Sequence, residues 1–209
     1  MVDDNSGSST PDQSHRREAL RRSRIAAREA LTSTEHQRLS KALTAHLAGL
    51  LQRCQPRVLG FCWPIRAEFD CRPLVTRLLG QQLDLRACLP VVKVPDQPMA
   101  FRAWQPESEM LIDRYGIHYP ANGELLTPDV LLMPVNAFDA SGYRLGYGAG
   151  YFDRTLAALH PAPLAIGIGF ELARVASIGP ASHDVPLDAV VTEAGIEIIS
   201  ARLREINRQ

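Results

Sequence analysis

The chain has 209 residues, 45% of them apolar and 22% charged, enough for one domain with a real core plus a tail. Lysine plus arginine equals aspartate plus glutamate at 23 each, so no overall field selects nucleic acid or an acidic membrane surface. No stretch approaches the roughly 20 apolar residues of a membrane span, and Met1 to Thr10 has no apolar centre for a signal peptide, so a soluble, cytoplasmic protein is expected.

Residues 1–13 are expected to form a poorly ordered tail and 14–209 a single α/β domain. Within that tail, Thr10-Pro11-Asp12-Gln13 has the makings of a helix start, with Thr10 as N-cap and Gln13 closing a capping box. The helix then runs to about Leu31. Arg17, Arg21, Arg24 and Arg28 recur at helical spacing and form one narrow stripe, while Leu20, Ala27 and Leu31 lie on another face available for packing. A charge run of this kind is as a rule a solvated face. The alternative is that its first arginines reach a phosphate tail.

Thr32-Ser-Thr-Glu35 is a second capping box, followed by Leu39, Leu43, Leu47, Leu50 and Leu51 in an amphipathic helix ending near Cys54. Val58 to Trp63 reads as a strand, Asp70 to Leu79 as a short helix closed by Gly80, and Arg86 to Val92 and Met99 to Trp104 as strands. Pro106 to Gly123 reads as loop. Val130 to Met133 is a buried strand ended by Pro134, and Asp153 to Leu159 is helical. Leu164 to Phe170 is a strand interrupted by Gly167 and Gly169. Ala189 to Thr192 is another, and Gly195 to Arg208 holds a last strand and helix. This alternation predicts an open, mostly parallel sheet with helices on both faces, a three-layer α/β/α sandwich.

Chemistry concentrates in the loop after Pro134, with Asp139, Arg144 and glycines at 142, 146, 148 and 150. Strand, glycine-rich loop and helix can bind phosphate through backbone amides and the helix N-terminus. The glycines by themselves equally suit a flexible turn. Glu68 follows the first strand, where open α/β sheets bind ligands, and Trp63 offers an apolar wall beside it. A lone glutamate there is otherwise a solvated loop residue, with Asp70 capping the next helix. Asp184, paired with Asp153, can hold magnesium, or it can cap backbone amides in a turn. Cys54, Cys62, Cys71 and Cys88 lack zinc spacing and read as free thiols, and His118 and His160 as surface residues.

Taken together, these pieces resemble the 5-formyltetrahydrofolate cyclo-ligase family. The strongest match is Pro134-Val-Asn-Ala-Phe-Asp-Ala-Ser-Gly-Tyr-Arg-Leu-Gly-Tyr-Gly-Ala-Gly-Tyr-Phe-Asp-Arg154, set against a family pattern P-x-x-A-F-D-x-x-G-x-R-L-G-x-G-x-G-Y-Y-D. The likeness extends from about Arg17 to Glu193. It implies a monomeric enzyme in which ATP phosphorylates the formyl oxygen of 5-formyltetrahydrofolate, the folate amine closes the ring, and phosphate leaves as 5,10-methenyltetrahydrofolate forms. By resemblance, Arg144 and Tyr151 are catalytic. ATP falls to Arg17, Arg21 and the run Arg144, Leu145, Gly146, Tyr147, Gly148, Ala149, Gly150, Tyr151 and Phe152. Folate falls to Trp63, Glu68, Tyr147, Gly148, Gly150 and Tyr151, and magnesium to Asp153 and Asp184.

Ala149 stands where the family often has glycine or lysine, and alanine dislikes positive φ, so the loop must pass this point in an ordinary conformation. Phe152 replaces a tyrosine, Ala173 a glutamine, and Ile178-Gly179 a leucine-proline pair. Two alternatives compete with the enzyme: a non-catalytic folate- or nucleotide-binding homologue, and, by fold analogy alone, a sugar-phosphate isomerase or CoA-transferase-like enzyme.

Overall fold

The computed structural model describes residues 11–206 and 208. Thr10 and the first ten residues lie outside the described part. Helix α1 (Pro11–Glu29) already includes residues assigned above to a tail, and the Gln13 side-chain amide donates to the Gly179 carbonyl at 2.9 Å. Gln13 is therefore tied to the body of the protein.

Helix α2 (Ser33–Cys54) starts on the expected capping box: Thr32 accepts from the Glu35 amide, and Glu35 accepts from the Thr32 amide. Its five leucines are all buried. Strand β1 (Val58–Gly60) is shorter than expected, and α3 spans Arg72–Gln81. Gly80 does not close α3. It lies inside the last turn, where the Gln82 amide bonds to the Leu78 carbonyl. Strands β2 (Arg86–Val91) and β3 (Ala100–Trp104) follow. The segment expected as loop contains a hairpin, β4 (Met110–Ile112) and β5 (His118–Pro120), and then the short strand β6 (Leu125–Leu126).

Strand β7 (Val130–Pro134) leads into the glycine-rich segment, which carries a small ladder of β8 (Ala137–Phe138) with β9 (Arg144–Leu145) before α4 (Tyr151–Ala158). Strand β10 (Leu164–Ile168), a 3-10 turn at Glu171–Ala173, β11 (Ala189–Thr192), β12 (Gly195–Ile198) and α5 (Ala201–Ile206) complete the chain. Gly167 of β10 marks a close approach, since a Cβ there would meet Leu187 at 2.6 Å and Val135 at 3.0 Å.

The eight-stranded sheet has the order β12-β11-β10-β7-β1-β2-β3-β6. Its middle pairings, from β11 across to β2, are all parallel, and antiparallel pairs appear only toward the two edges. Both faces are covered, which explains the unbroken apolar run of β7. Val130 and Leu132 pack into the core shared with α2, α3 and α5, while Leu131 and Met133 pack into the opposite core with Leu156 of α4. From β1 the chain proceeds to β2 on one side, and from β7 to β10 and β11 on the other. The order therefore reverses between β1 and β7, where open α/β sheets bind ligands.

Candidate active site

Connections leaving the carboxyl ends of β1, β2, β7 and β10 meet α1 around a cavity of about 930 Å³. Every residue given an ATP, folate, magnesium or catalytic role by the resemblance lines it: Arg17, Arg21, Trp63, Glu68, the run Arg144 to Asp153, and Asp184.

The arginine stripe of α1 is not a solvated face. Arg17 forms a two-bonded pair with Asp184, at 2.7 and 3.1 Å. Arg21 donates through Nε to the Gly146 carbonyl at 2.7 Å and also pairs with Glu18. Arg24 donates to the Leu172 carbonyl at 3.1 Å, and Arg28 is buried. Ala27, expected to pack inward, is exposed. The inward face is the arginine face, because its acceptors lie in the connections that close the cavity.

In the glycine loop, Gly148 (φ +95°) and Gly150 (φ +65°) take conformations that favour glycine. An added Cβ on Gly148 would stand 3.3 Å from the Arg21 guanidinium. Ala149 is absent from the residues with positive φ, so the loop passes it in an ordinary conformation, as alanine requires. The amides of residues 146–150 donate to no other described residue, so they remain available to an anion. Asp139 has a bracing role here: it is buried and accepts from the amides of Ser141, Tyr143 and Ile178.

Arg144 is buried beneath this loop and donates to the Val185 carbonyl at 2.7 Å and to Asp153 at 3.1 Å. Burial pulls its pKa below the ordinary arginine value, opposed by the Asp153 carboxylate. Asp153, in the first turn of α4, also accepts from the Val185 amide at 3.1 Å. Burial pushes the Asp184 carboxyl up, but hydrogen bonds from Arg17 and the Ala181 amide prevail and hold it below the ordinary value.

Glu68 is not a solvated loop residue. It is 6% exposed, accepts from the Ile65 amide at 3.0 Å and from the Tyr147 hydroxyl at 2.8 Å, and has Arg28 3.8 Å away. Burial raises its pKa, and those three groups only partly oppose the rise. Trp63 is packed by Arg72, whose guanidinium lies 4.1 Å from the ring centroid, and by His118 at 4.9 Å between centroids. His118 is thus half-buried against an indole rather than free at the surface; His160 is exposed as expected. All four cysteines are free, with Cys71 and Cys88 buried and Cys62 on the cavity wall.

Sequence reasoning missed two groups of residues. Arg28 and Asn136 support Glu68 from behind, and the stripe spacing alone had signalled the arginine. Tyr115, Ile117 and Tyr119 of the β4–β5 hairpin line the cavity with two phenol rings and an aliphatic side chain, hidden within a segment whose strands are too short to show alternation. Among the described residues, no three His, Cys, Asp or Glu side chains gather around a common metal position. No helix there is long and apolar enough to cross a membrane.

Residues 13–193 match the model of the 5-formyltetrahydrofolate cyclo-ligase family. The 5-formyltetrahydrofolate cyclo-ligase of Escherichia coli K12 is 28% identical over 176 residues, covering 81% of this chain and 96% of the relative. That of Mycolicibacterium smegmatis is 29% identical over 190 residues, covering 86% and 93%. Among solved structures, the Aquifex aeolicus 5,10-methenyltetrahydrofolate synthetase superposes with a TM-score of 0.75 at 27% identity, covering 88% of this chain and 92% of that one. The Mycoplasma pneumoniae 5,10-methenyltetrahydrofolate synthetase gives 0.68 at 25% identity, covering 85% and 98%.

Proposed function

The chain belongs to the 5-formyltetrahydrofolate cyclo-ligase family, and from that premise we propose how its residues divide the work of an ATP-dependent ring closure. The reaction converts 5-formyltetrahydrofolate and ATP into 5,10-methenyltetrahydrofolate, ADP and phosphate. A formamide carbon is a poor electrophile and its oxygen a poor leaving group. Transfer of the γ-phosphoryl group to that oxygen cures both, and attack by the neighbouring amine then expels phosphate. The protein must align two substrates and neutralise phosphate charge.

One observation carries this assignment. A glycine loop whose amides have no partner among the described residues and a buried carboxylate share a single cavity, on opposite sides of the strand reversal, which supports a phosphate cradle beside a pterin acceptor. The free amides of residues 146–150 and the guanidinium of Arg144 receive the triphosphate, aided by Arg17 and Arg21. Glu68 accepts hydrogen bonds from the pterin, Trp63 edges that compartment, and Tyr147, Gly148, Gly150 and Tyr151 stand where the two substrates meet. Arg114 donates to the Tyr151 hydroxyl at 3.4 Å, which supports Tyr151 as a group at the reacting end.

The donor set suits magnesium. Asp153 has one carboxylate oxygen without a partner among the described residues, and Asp184 Oδ1 accepts only from Arg17, which leaves it a lone pair, whereas Oδ2 is taken by Arg17 and the Ala181 amide. Bound there, the ion would neutralise charge on phosphate oxygens. Asp153 is braced for this by Arg144 and the Val185 amide, so its orientation is set before ligand arrives. We infer a cytoplasmic monomer without nucleic-acid or membrane partners; the balanced charge supports the absence of such anionic partners.

The test is to mix the purified chain with 5-formyltetrahydrofolate and magnesium ATP and to follow methenyl product by absorbance. Product that requires both substrates is expected. Folded protein that yields none would defeat the reading.

A further inference from the structure

We propose that Arg28 is a positioning residue for the folate half of the site, acting through Tyr147 on Glu68. This rests on the folate role given to Glu68 above.

The geometry is that of a relay. Arg28 donates from Nε to the Arg66 carbonyl at 3.0 Å, from Nη1 to the Asn136 side-chain oxygen at 2.9 Å, and from Nη2 to the Tyr147 hydroxyl at 3.2 Å. The same hydroxyl donates onward to Glu68 at 2.8 Å. Arg28 is 5% exposed, and burying a guanidinium costs free energy unless its donors are met. A second cost appears beside it: Asn136 is 2% exposed, and its side-chain nitrogen has no partner among the described residues. Only its oxygen, on Arg28, is used. An apolar pair at these two places would fill the core more cheaply, so the polar pair points to a task beyond packing.

That task follows from what the relay joins. It fixes the last turn of α1, the loop after β1 and the glycine loop to one carboxylate. Tyr147 lies within the loop whose amides face the cavity, so its position sets the junction between the two substrates. Arg28 is also the cation facing Glu68. The other titratable groups against Glu68 are Tyr147 and the thiols of Cys62 and Cys71, all pushed up by burial and neutral. Without Arg28, burial would drive Glu68 toward its protonated form, which cannot accept from pterin N–H groups on both oxygens.

The experiment compares wild type with Arg28→Met, Arg28→Lys and Asn136→Ala in steady-state kinetics. For Arg28→Met, the Michaelis constant for 5-formyltetrahydrofolate rises about tenfold, while that for ATP changes less than about twofold. The acid limb of the pH profile of kcat/KM for folate moves up by about one pH unit. Lysine restores the acid limb, because it restores the charge, but only part of the folate affinity, because it lacks the fork. Equal effects on both substrates, or an acid limb that stays in place, would overturn the proposal. If Arg28→Met does not melt cooperatively, Asn136→Ala carries the test: folate KM rises roughly threefold with ATP unaffected, and an unchanged folate KM counts against the relay. If wild type makes no methenyl product, the function above fails on its own. Fluorescence titration with 5-formyltetrahydrofolate then decides this inference, with about tenfold weaker binding to Arg28→Met expected and equal binding overturning it.

Discussion

Asp153→Asn is expected to lower turnover by roughly two to three orders of magnitude while leaving the protein folded. Asparagine keeps the shape and one acceptor oxygen, so the bonds from Arg144 and the Val185 amide can persist. The charge that faces the phosphates is lost. Arg144 loses its nearest counter-charge, which costs about 1 kcal/mol, or a few degrees in Tm. Initial rates across a magnesium titration check the first effect and a melting curve the second. Wild-type turnover in this variant would remove Asp153 from the reaction.

Asp188→Ala is expected to do the opposite, lowering Tm by on the order of 5 °C with little change in kcat/KM of the folded protein. Asp188 lies four positions beyond Asp184 but takes no part in the cavity. It is buried, accepts the Ala165 amide at 2.7 Å, and pairs with Arg202, so it joins β10, β11 and α5. The Arg202 side chain is 45% exposed, so the ion pair itself contributes little. The cost of about 1–3 kcal/mol comes from leaving the Ala165 amide buried without an acceptor. A melting temperature within a degree of wild type, or lost activity in folded protein, would contradict this division of labour between the two aspartates.

Why were some features legible in the sequence and others not? Elements set by local physics were readable. The Thr32 box and five spaced leucines specify α2 within one segment, and Val130 to Met133 announces a strand covered on both sides. Ala149 was readable in the same way, since one side chain constrains one backbone angle. Features set by distant partners were not. The arginine stripe resembles a solvated face until its acceptors, Asp184, Gly146, Leu172 and Arg66, are seen to converge on it from far along the chain. Glu68 looks like a solvated loop glutamate because Tyr147 and Arg28 are remote in sequence. Gly80 misled for a local reason: a glycine with open space around it can continue a helix as well as end one.

The central claim is that ATP activates the formyl oxygen within this cavity, and oxygen tracing tests it most directly. With 5-formyltetrahydrofolate labelled by oxygen-18 in the formyl group, a single turnover with magnesium ATP is followed by mass analysis of the inorganic phosphate. The label is predicted to appear in phosphate, one atom for each methenyl product formed. Label released to water, with unlabelled phosphate, would contradict the account.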